Sequence, residues 1–85
     1  MKKEIAYIIE YFKEDRYIDN NKEILFQYVR SDKDSNNKYN HYFYYSSASL
    51  YNMQLKFTDD QLLRYINTFK DANVKKYIKL KGLLP

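Results

Sequence analysis

The most regular hydrophobic pattern in this chain lies between residues 51 and 57, where apolar and polar side chains alternate. The apolar positions are Tyr51, Met53, Leu55 and Phe57, and the polar ones between them are Asn52, Gln54 and Lys56. A period of two predicts a strand with one face in a core and the other in water. The segment 41–45 is aromatic on both faces and predicts a second strand. The small residues at 46–49 predict the hairpin turn between them.

Residues 1–18 carry a helical pattern. Their apolar positions Ile5, Ile8, Ile9 and Phe12 recur at the spacing of one helix face. Glu4, Glu10, Lys13 and Glu14 lie away from that face, which favours a helix. A strand over residues 6–12 is the alternative, because isoleucine and tyrosine also favour sheets.

Residues 23–30 predict another strand, with Ile24, Phe26 and Tyr28 on one face. Its other face is also partly apolar, which is typical of a central strand or of an edge buried by association. The polar segment 31–40 predicts a long hairpin loop of ten residues.

Two helices are predicted at the C-terminal end. Thr58 and Gln61 have the spacing of a capping box, and the helix after them buries Leu62, Leu63, Ile66 and Phe69. Asp71 is expected to cap a further helix that buries Val74, Tyr77 and Ile78. Gly82, the sole glycine, with Leu83 after it, is expected to end that helix.

These elements predict a single small α+β domain over residues 1–85. It consists of an N-terminal helix, a three-stranded antiparallel β-meander and two C-terminal helices packed on one sheet face. The chain has no cysteine, which excludes disulfides and thiolate chemistry. It has no apolar run of membrane-spanning length and no signal-peptide core, so we expect a cytoplasmic protein without a membrane span.

Few residues suit catalysis or metal binding. Asp32, Asp34 and Asn36 have the spacing that opens a calcium loop, but Asn37 and Phe43 stand where that loop needs glycine and a bidentate glutamate. His41, the one histidine, is interpreted as a packing residue, and the adjacent Asp59 and Asp60 as helix-start residues. The chain also lacks a glycine-rich phosphate loop. We therefore predict no catalytic residue, no metal and no cofactor, and a protein that is not an enzyme.

Tyrosine is the most distinctive feature of the composition, with 11 tyrosines in 85 residues. A core of this size cannot enclose them all, and exposed tyrosine is enriched at protein interfaces. Tyr39, Tyr42, Tyr44 and Tyr45 are therefore the predicted partner-binding residues. The leading hypothesis is a small interaction protein that binds another protein through this tyrosine-rich sheet surface. A homodimer formed through an unpaired strand edge is also expected.

The net charge of +4 resides wholly in residues 41–85, which hold 7 basic and 3 acidic groups. The alternative hypothesis is therefore nucleic-acid binding by a basic C-terminal helix, with tyrosines stacking on bases. Its predicted residues are Arg64, Lys70, Lys75, Lys76, Lys79 and Lys81. A solvated helix face explains the same charges equally simply. A third hypothesis is weak membrane association through the amphipathic C-terminal helix.

The composition also bears on the source. Lysine, asparagine, isoleucine, tyrosine, phenylalanine and methionine supply 45 of the 85 residues, and their codons are rich in A and T. We therefore expect an AT-rich genome, which fits low-GC bacteria, their phages and plasmids, and some eukaryotic viruses or parasites. Among these, a phage or mobile element encoding an accessory or inhibitory protein is the predicted setting. An AT-rich genome also raises lysine and tyrosine content without any functional reason.

Overall fold

A computed structural model describes residues 1–80 of the chain and gives three helices and a four-stranded antiparallel sheet. The elements are α1 (Lys3–Tyr11), β1 (Arg16–Tyr17), β2 (Leu25–Lys33), β3 (Tyr39–Ser46), β4 (Met53–Phe57), α2 (Asp59–Ile66) and α3 (Ala72–Leu80). The sheet order is β1-β2-β3-β4, so each strand pairs with the next along the chain. The α+β class is confirmed, whereas the predicted number of three strands is wrong by one.

The additional strand comes from the segment predicted to continue the first helix to Ile18. α1 ends earlier because its apolar stripe ends at Phe12, whose backbone oxygen accepts a hydrogen bond from the Tyr28 N–H of β2 at 2.7 Å. A polar turn follows, and Arg16 and Tyr17 then pair with β2 as β1. That contact with β2 is non-local, so the local helical pattern could not reveal it.

The hairpin connections are also shorter or placed differently than predicted. β2 and β3 extend into the segment predicted as a ten-residue loop and leave a turn at residues 34–38. The Asp34 carboxylate accepts hydrogen bonds from the N–H groups of Asn36 and Lys38, and Asn37 adopts a positive φ of 63°. The next hairpin turn runs through Tyr51, which therefore lies outside β4 and not on its core side.

Strand register divides the sheet into two faces, because directly opposed residues of antiparallel strands point to the same side. The core face carries Phe26, Tyr28, His41, Phe43, Tyr45, Leu55 and Phe57. The outer face carries Tyr17, Leu25, Gln27, Arg30, Tyr42, Tyr44, Gln54 and Lys56. Buried residues from all three helices join Phe26 and Phe43 in one hydrophobic cluster. The hydrophobic core therefore borders this face of the sheet.

The centre of that cluster is aromatic. Phe26 and Phe43 stack with ring centroids 4.5 Å apart, and Phe12 of the α1 C-terminal end meets both rings edge-on. Phe69 and Phe57 complete the contacts, so all five phenylalanines belong to it. Edge-to-face and offset ring contacts add stability beyond that of buried area alone.

Tyrosines fill the margin of the core. Burial raises the pKa of Tyr11, Tyr65 and Tyr77, because the ionised phenolate is disfavoured away from water. Tyr77 uses its O–H to donate to the backbone oxygen of Tyr7 at 2.7 Å, which ties α3 to α1.

Both C-terminal helices begin as predicted. The Thr58 hydroxyl accepts from the Gln61 N–H, and the Gln61 side-chain oxygen accepts from the Thr58 N–H at 2.9 Å, which is a complete capping box. The Asp71 carboxylate accepts from the N–H groups of Asn73 and Val74 and so caps α3. The predicted helix end at Gly82 and Leu83 lies outside the described residues.

Candidate partner-binding surface

The four tyrosines predicted to bind a partner lie on two different faces of the sheet. Tyr42 and Tyr44 are on the outer face, whereas Tyr39 and Tyr45 point to the core side. Tyr45 packs against the hydrophobic core, and Tyr39 stacks on the His41 ring with centroids 6.0 Å apart. β3 therefore cannot present all four rings to one partner, and Tyr42 and Tyr44 form the accessible pair.

Tyr44 is the centre of the more exposed end of the outer face. Its side chain is 42% exposed, and Tyr51 in the neighbouring hairpin turn is 83% exposed. Both line a shallow depression of about 190 Å³ together with Leu25 and Gln27. Tyr17 of β1 lies on the same face, opposite Leu25 in the register, and is also exposed. We call the set Tyr17, Leu25, Gln27, Tyr44 and Tyr51 the tyrosine patch.

Tyr42 is held more firmly than Tyr44. The Arg30 guanidinium lies 4.0 Å from the centroid of the Tyr42 ring, and Arg30 is also paired with the Asp32 carboxylate. A cation over an aromatic face is attracted by the ring quadrupole. These contacts fix Tyr42 beside the tyrosine patch and pair Arg30. Lys56 opposes Tyr42 on the same face, is exposed and takes part in no salt bridge within residues 1–80.

Five of the basic residues predicted for nucleic-acid binding lie on α2, on α3 and on the connection between them. We call these two helices and their connection the helical layer. Arg64, Lys70, Lys76 and Lys79 are exposed, whereas the Lys75 ammonium donates to the Asn67 backbone oxygen at 2.7 Å. Within residues 1–80 none of these five side chains takes part in a salt bridge. Lys81 lies outside the described residues. α2 and α3 contribute Leu62, Ile66, Val74 and Ile78 to the hydrophobic cluster that contains Phe26 and Phe43 of the core face, whereas Tyr42 and Tyr44 lie on the outer face.

A buried hydrogen-bonded chain also crosses the core face. The His41 ring has 0% exposure and lies between the Ser31 hydroxyl, 2.6 Å from Nδ1, and the Asp59 carboxylate, 2.5 Å from Nε2. Ser31 in turn contacts the Tyr28 hydroxyl at 2.8 Å. Asp59 is the first residue of α2, so the chain connects β2 and β3 to the start of that helix.

Serine, histidine and aspartate together invite comparison with a catalytic triad. A triad needs a histidine that reaches the leaving group of a substrate and a serine free to attack. Here the His41 ring has no exposed surface, and the Ser31 hydroxyl is shared between His41 and Tyr28. We therefore assign a structural role to this series of hydrogen bonds, which positions α2 on the sheet.

A groove of about 670 Å³ lies at the start of α2. Lys33, Lys38, Asp59 and Asp60 are among its lining residues, so its charges are mixed. The Lys2 ammonium is 3.1 Å from the Asp60 carboxylate, and the hydrogen bond between them lowers the pKa of Asp60. Lys2 and Asp60 therefore neutralise each other, whereas Lys33 and Lys38 of the lining take part in no salt bridge within residues 1–80.

Two classes of feature are not found in the part of the chain that the structure describes. No group of three or more acidic or histidine side chains in residues 1–80 is placed to hold a metal ion. Over the same residues, none of the helices combines the length and the apolar character needed to cross a bilayer.

Similarity to known proteins adds no further constraint. No protein-family model, curated protein or solved structure matches this chain. The functional interpretation therefore rests on the geometry of the two sheet faces, the helical layer and the sheet edge.

Proposed function

We propose that this protein binds another protein through the outer face of its sheet, with the tyrosine patch as the centre of the contact. The observation that supports this most directly is the exposure of Tyr44 and Tyr51 around one depression, next to the ordered ring of Tyr42. Tyrosine offers a large, rigid contact area and a hydroxyl, at a small cost in conformational entropy.

The chemistry of this face suits a protein partner better than a nucleic acid. Gln27 and Gln54 lie on either side of Tyr44 in the register and offer both donors and acceptors. Arg30 is paired with Asp32, so a phosphate would have to compete with that carboxylate for it. The tyrosine patch consists of aromatic, apolar and amide side chains, with the charged Asp15 and Lys56 beside it, which is typical of a protein interface core with a polar rim. We propose a phage or mobile-element accessory or inhibitory protein as the setting; the AT-rich composition fits such a source, as it fits other AT-rich genomes.

Tyr44→Ala is expected to weaken partner binding at least about 10-fold, because central aromatic residues dominate interface energies. The partner is captured by photo-cross-linking from position 51, and its affinity for purified variants is measured by titration calorimetry. Tyr39→Ala is the matched control, since it removes the same ring from the opposite face of the same strand. Its binding should change less than about 3-fold. Equal losses for the two variants would show that the outer face is not the site.

Nucleic-acid binding through the helical layer is a second candidate, favoured by the absence of salt bridges to its basic residues within residues 1–80. Here the triple reversal of Lys75, Lys76 and Lys79 to glutamate is expected to abolish binding to single strands or duplexes, while Tyr44→Ala leaves it unchanged. Binding should also weaken steeply with salt, since each neutralised phosphate releases counterions. Fluorescence anisotropy at two salt concentrations measures both effects, and salt-independent binding would contradict this candidate.

A further inference from the structure

β4 forms one edge of the sheet, and its outer backbone groups have no strand beside them within residues 1–80. The opposite edge is β1, which has two residues and offers little to pair with, whereas β4 has five. A strand edge of this kind is a template for pairing with another strand. Lys56 is the one charged side chain within β4, so the edge carries little protection against association.

The side chains of β4 are suited to a second copy of the same strand. On the core face, Leu55 and Phe57 are only half-buried and Met53 is 45% exposed, so the apolar row is incompletely covered at this edge. On the outer face, Gln54 and Lys56 are exposed. Apolar residues therefore alternate with polar ones along the whole strand, so the pattern of apolar and polar positions is symmetrical about Leu55.

In antiparallel pairing about a two-fold axis at Leu55, apolar residues oppose apolar residues and polar residues oppose polar residues. Met53 of one copy then opposes Phe57 of the other, and Leu55 opposes Leu55, so every core-face pair is apolar. On the outer face Gln54 opposes Lys56, and no like charges meet. Residues directly opposed across antiparallel strands interact most strongly, which favours this register.

Neighbouring registers with the same faces are less favourable. An axis at Lys56 would place two lysine side chains directly opposite each other, which is destabilising. An axis at Gln54 would place Phe57 opposite Tyr51, which lies in a turn outside β4. The axis at Leu55 is the register that pairs all five residues of each strand.

We propose that the chain forms a homodimer by pairing β4 with β4 of a second copy about a two-fold axis at Leu55. The four strands of each copy then form one continuous antiparallel sheet with all helices on one side. The two outer faces join into one extended surface, which carries two tyrosine patches. The dimer uses the backbone edge of β4 and not the rings of the tyrosine patches, so the mass of the protein measured without a partner tests it independently of the proposed function.

Charge substitutions at position 54 test the register without disturbing the core, because Gln54 is exposed. Gln54→Glu places a carboxylate opposite Lys56 of the second copy, twice per dimer, and is expected to tighten the dimer roughly 5-fold. Gln54→Lys places lysine opposite lysine and is expected to weaken it by a similar factor. Sedimentation equilibrium of the wild type and both variants measures the dissociation constant, and circular dichroism confirms the monomer fold of each.

Cross-linking tests the same register without relying on affinity. The natural chain contains no cysteine, so Gln54→Cys and Lys56→Cys each introduce a single thiol on the exposed outer face. Directly opposed residues are about 5 Å apart at Cβ, close to disulfide geometry, whereas diagonal ones are about 7–8 Å apart. A mixture of the two variants should therefore form disulfide dimers at least roughly 3-fold faster than either variant alone. Lys13→Cys, at an exposed position in the turn after α1, is the control for random collision.

Two results would overturn the proposal. One is a monomeric mass at all concentrations combined with no preferential cross-linking in the mixture. The other is a dimer whose dissociation constant is the same for Gln54→Glu and Gln54→Lys, since that dimer would use another surface. Tyr44→Ala should leave the dimer unchanged, so loss of partner binding in that variant remains attributable to the tyrosine patch.

Discussion

Phe43→Ala is expected to cost about 3–5 kcal/mol of the free energy of unfolding, because it removes a fully buried ring and leaves a cavity. Phe43 stacks on Phe26 and contacts Phe12, Tyr28 and Phe57, so it joins α1 to three strands of the sheet. A domain of this size has a total stability of only about 4–13 kcal/mol. The variant should therefore be largely unfolded, or unfold at a much lower denaturant concentration than the wild type.

Urea unfolding followed by far-ultraviolet circular dichroism measures this loss. The control is Tyr44→Ala, which removes a ring from the next residue of β3 but from the opposite face. Because the Tyr44 side chain is partly exposed and belongs to the outer face, its loss should cost less than about 1 kcal/mol. Similar destabilisation by both substitutions would mean that the core does not lie on one side of β3.

The contrast between Phe43 and Tyr44 shows what the sequence could and could not predict. Alternation along β3 follows from the period of two, so the separation of Tyr42 and Tyr44 from Tyr39 and Tyr45 was available from sequence parity alone. Grouping all four tyrosines by composition hid that separation.

Other features depend on contacts between distant residues. Tyr17 reaches the outer face because Phe12 bonds to β2 and the chain then turns to pair as β1. No local sequence feature predicts this turn and the strand after it, because residues 1–18 fit a single helical pattern. Hydrogen bonds between neighbouring residues, by contrast, could be predicted from the sequence. Examples are the capping box of Thr58 and Gln61 and the cap that Asp71 forms on α3.

The sequence does not reveal Ser31 as a hydrogen-bond partner of His41, and the reason is different. Ser31 was assigned to a polar loop, whereas β2 continues through it and an irregularity in the register between Tyr28 and Arg30 sets Ser31 directly opposite His41. A bulge of this kind changes which residues face the core, and sequence alternation alone cannot place it. The polar chain around His41 therefore emerged only from the folded structure.

His41→Phe is expected to destabilise the protein by about 2–4 kcal/mol, although phenylalanine fills a similar volume and can still stack on Tyr39. In the neutral imidazole, Nε2–H donates to Asp59 and Nδ1 accepts from Ser31, whose hydroxyl oxygen accepts from Tyr28. Removing the ring nitrogens leaves the Asp59 carboxylate and the Ser31 hydroxyl without their partner in a site of low exposure. Breaking a buried pair from one side costs more than replacing both partners by apolar groups.

A double-mutant cycle separates this hydrogen-bonded chain from simple packing. Asp59→Ala and His41→Phe are measured singly and together by urea unfolding, and we expect a coupling energy of at least about 1 kcal/mol. Asp59→Asn keeps an oxygen that can accept from Nε2–H, so its cost should be smaller than that of Asp59→Ala. If the two costs simply add, His41 contributes through packing alone. A clear coupling would instead show that the contact between β3 and the first residue of α2 is what fixes this helix on the sheet.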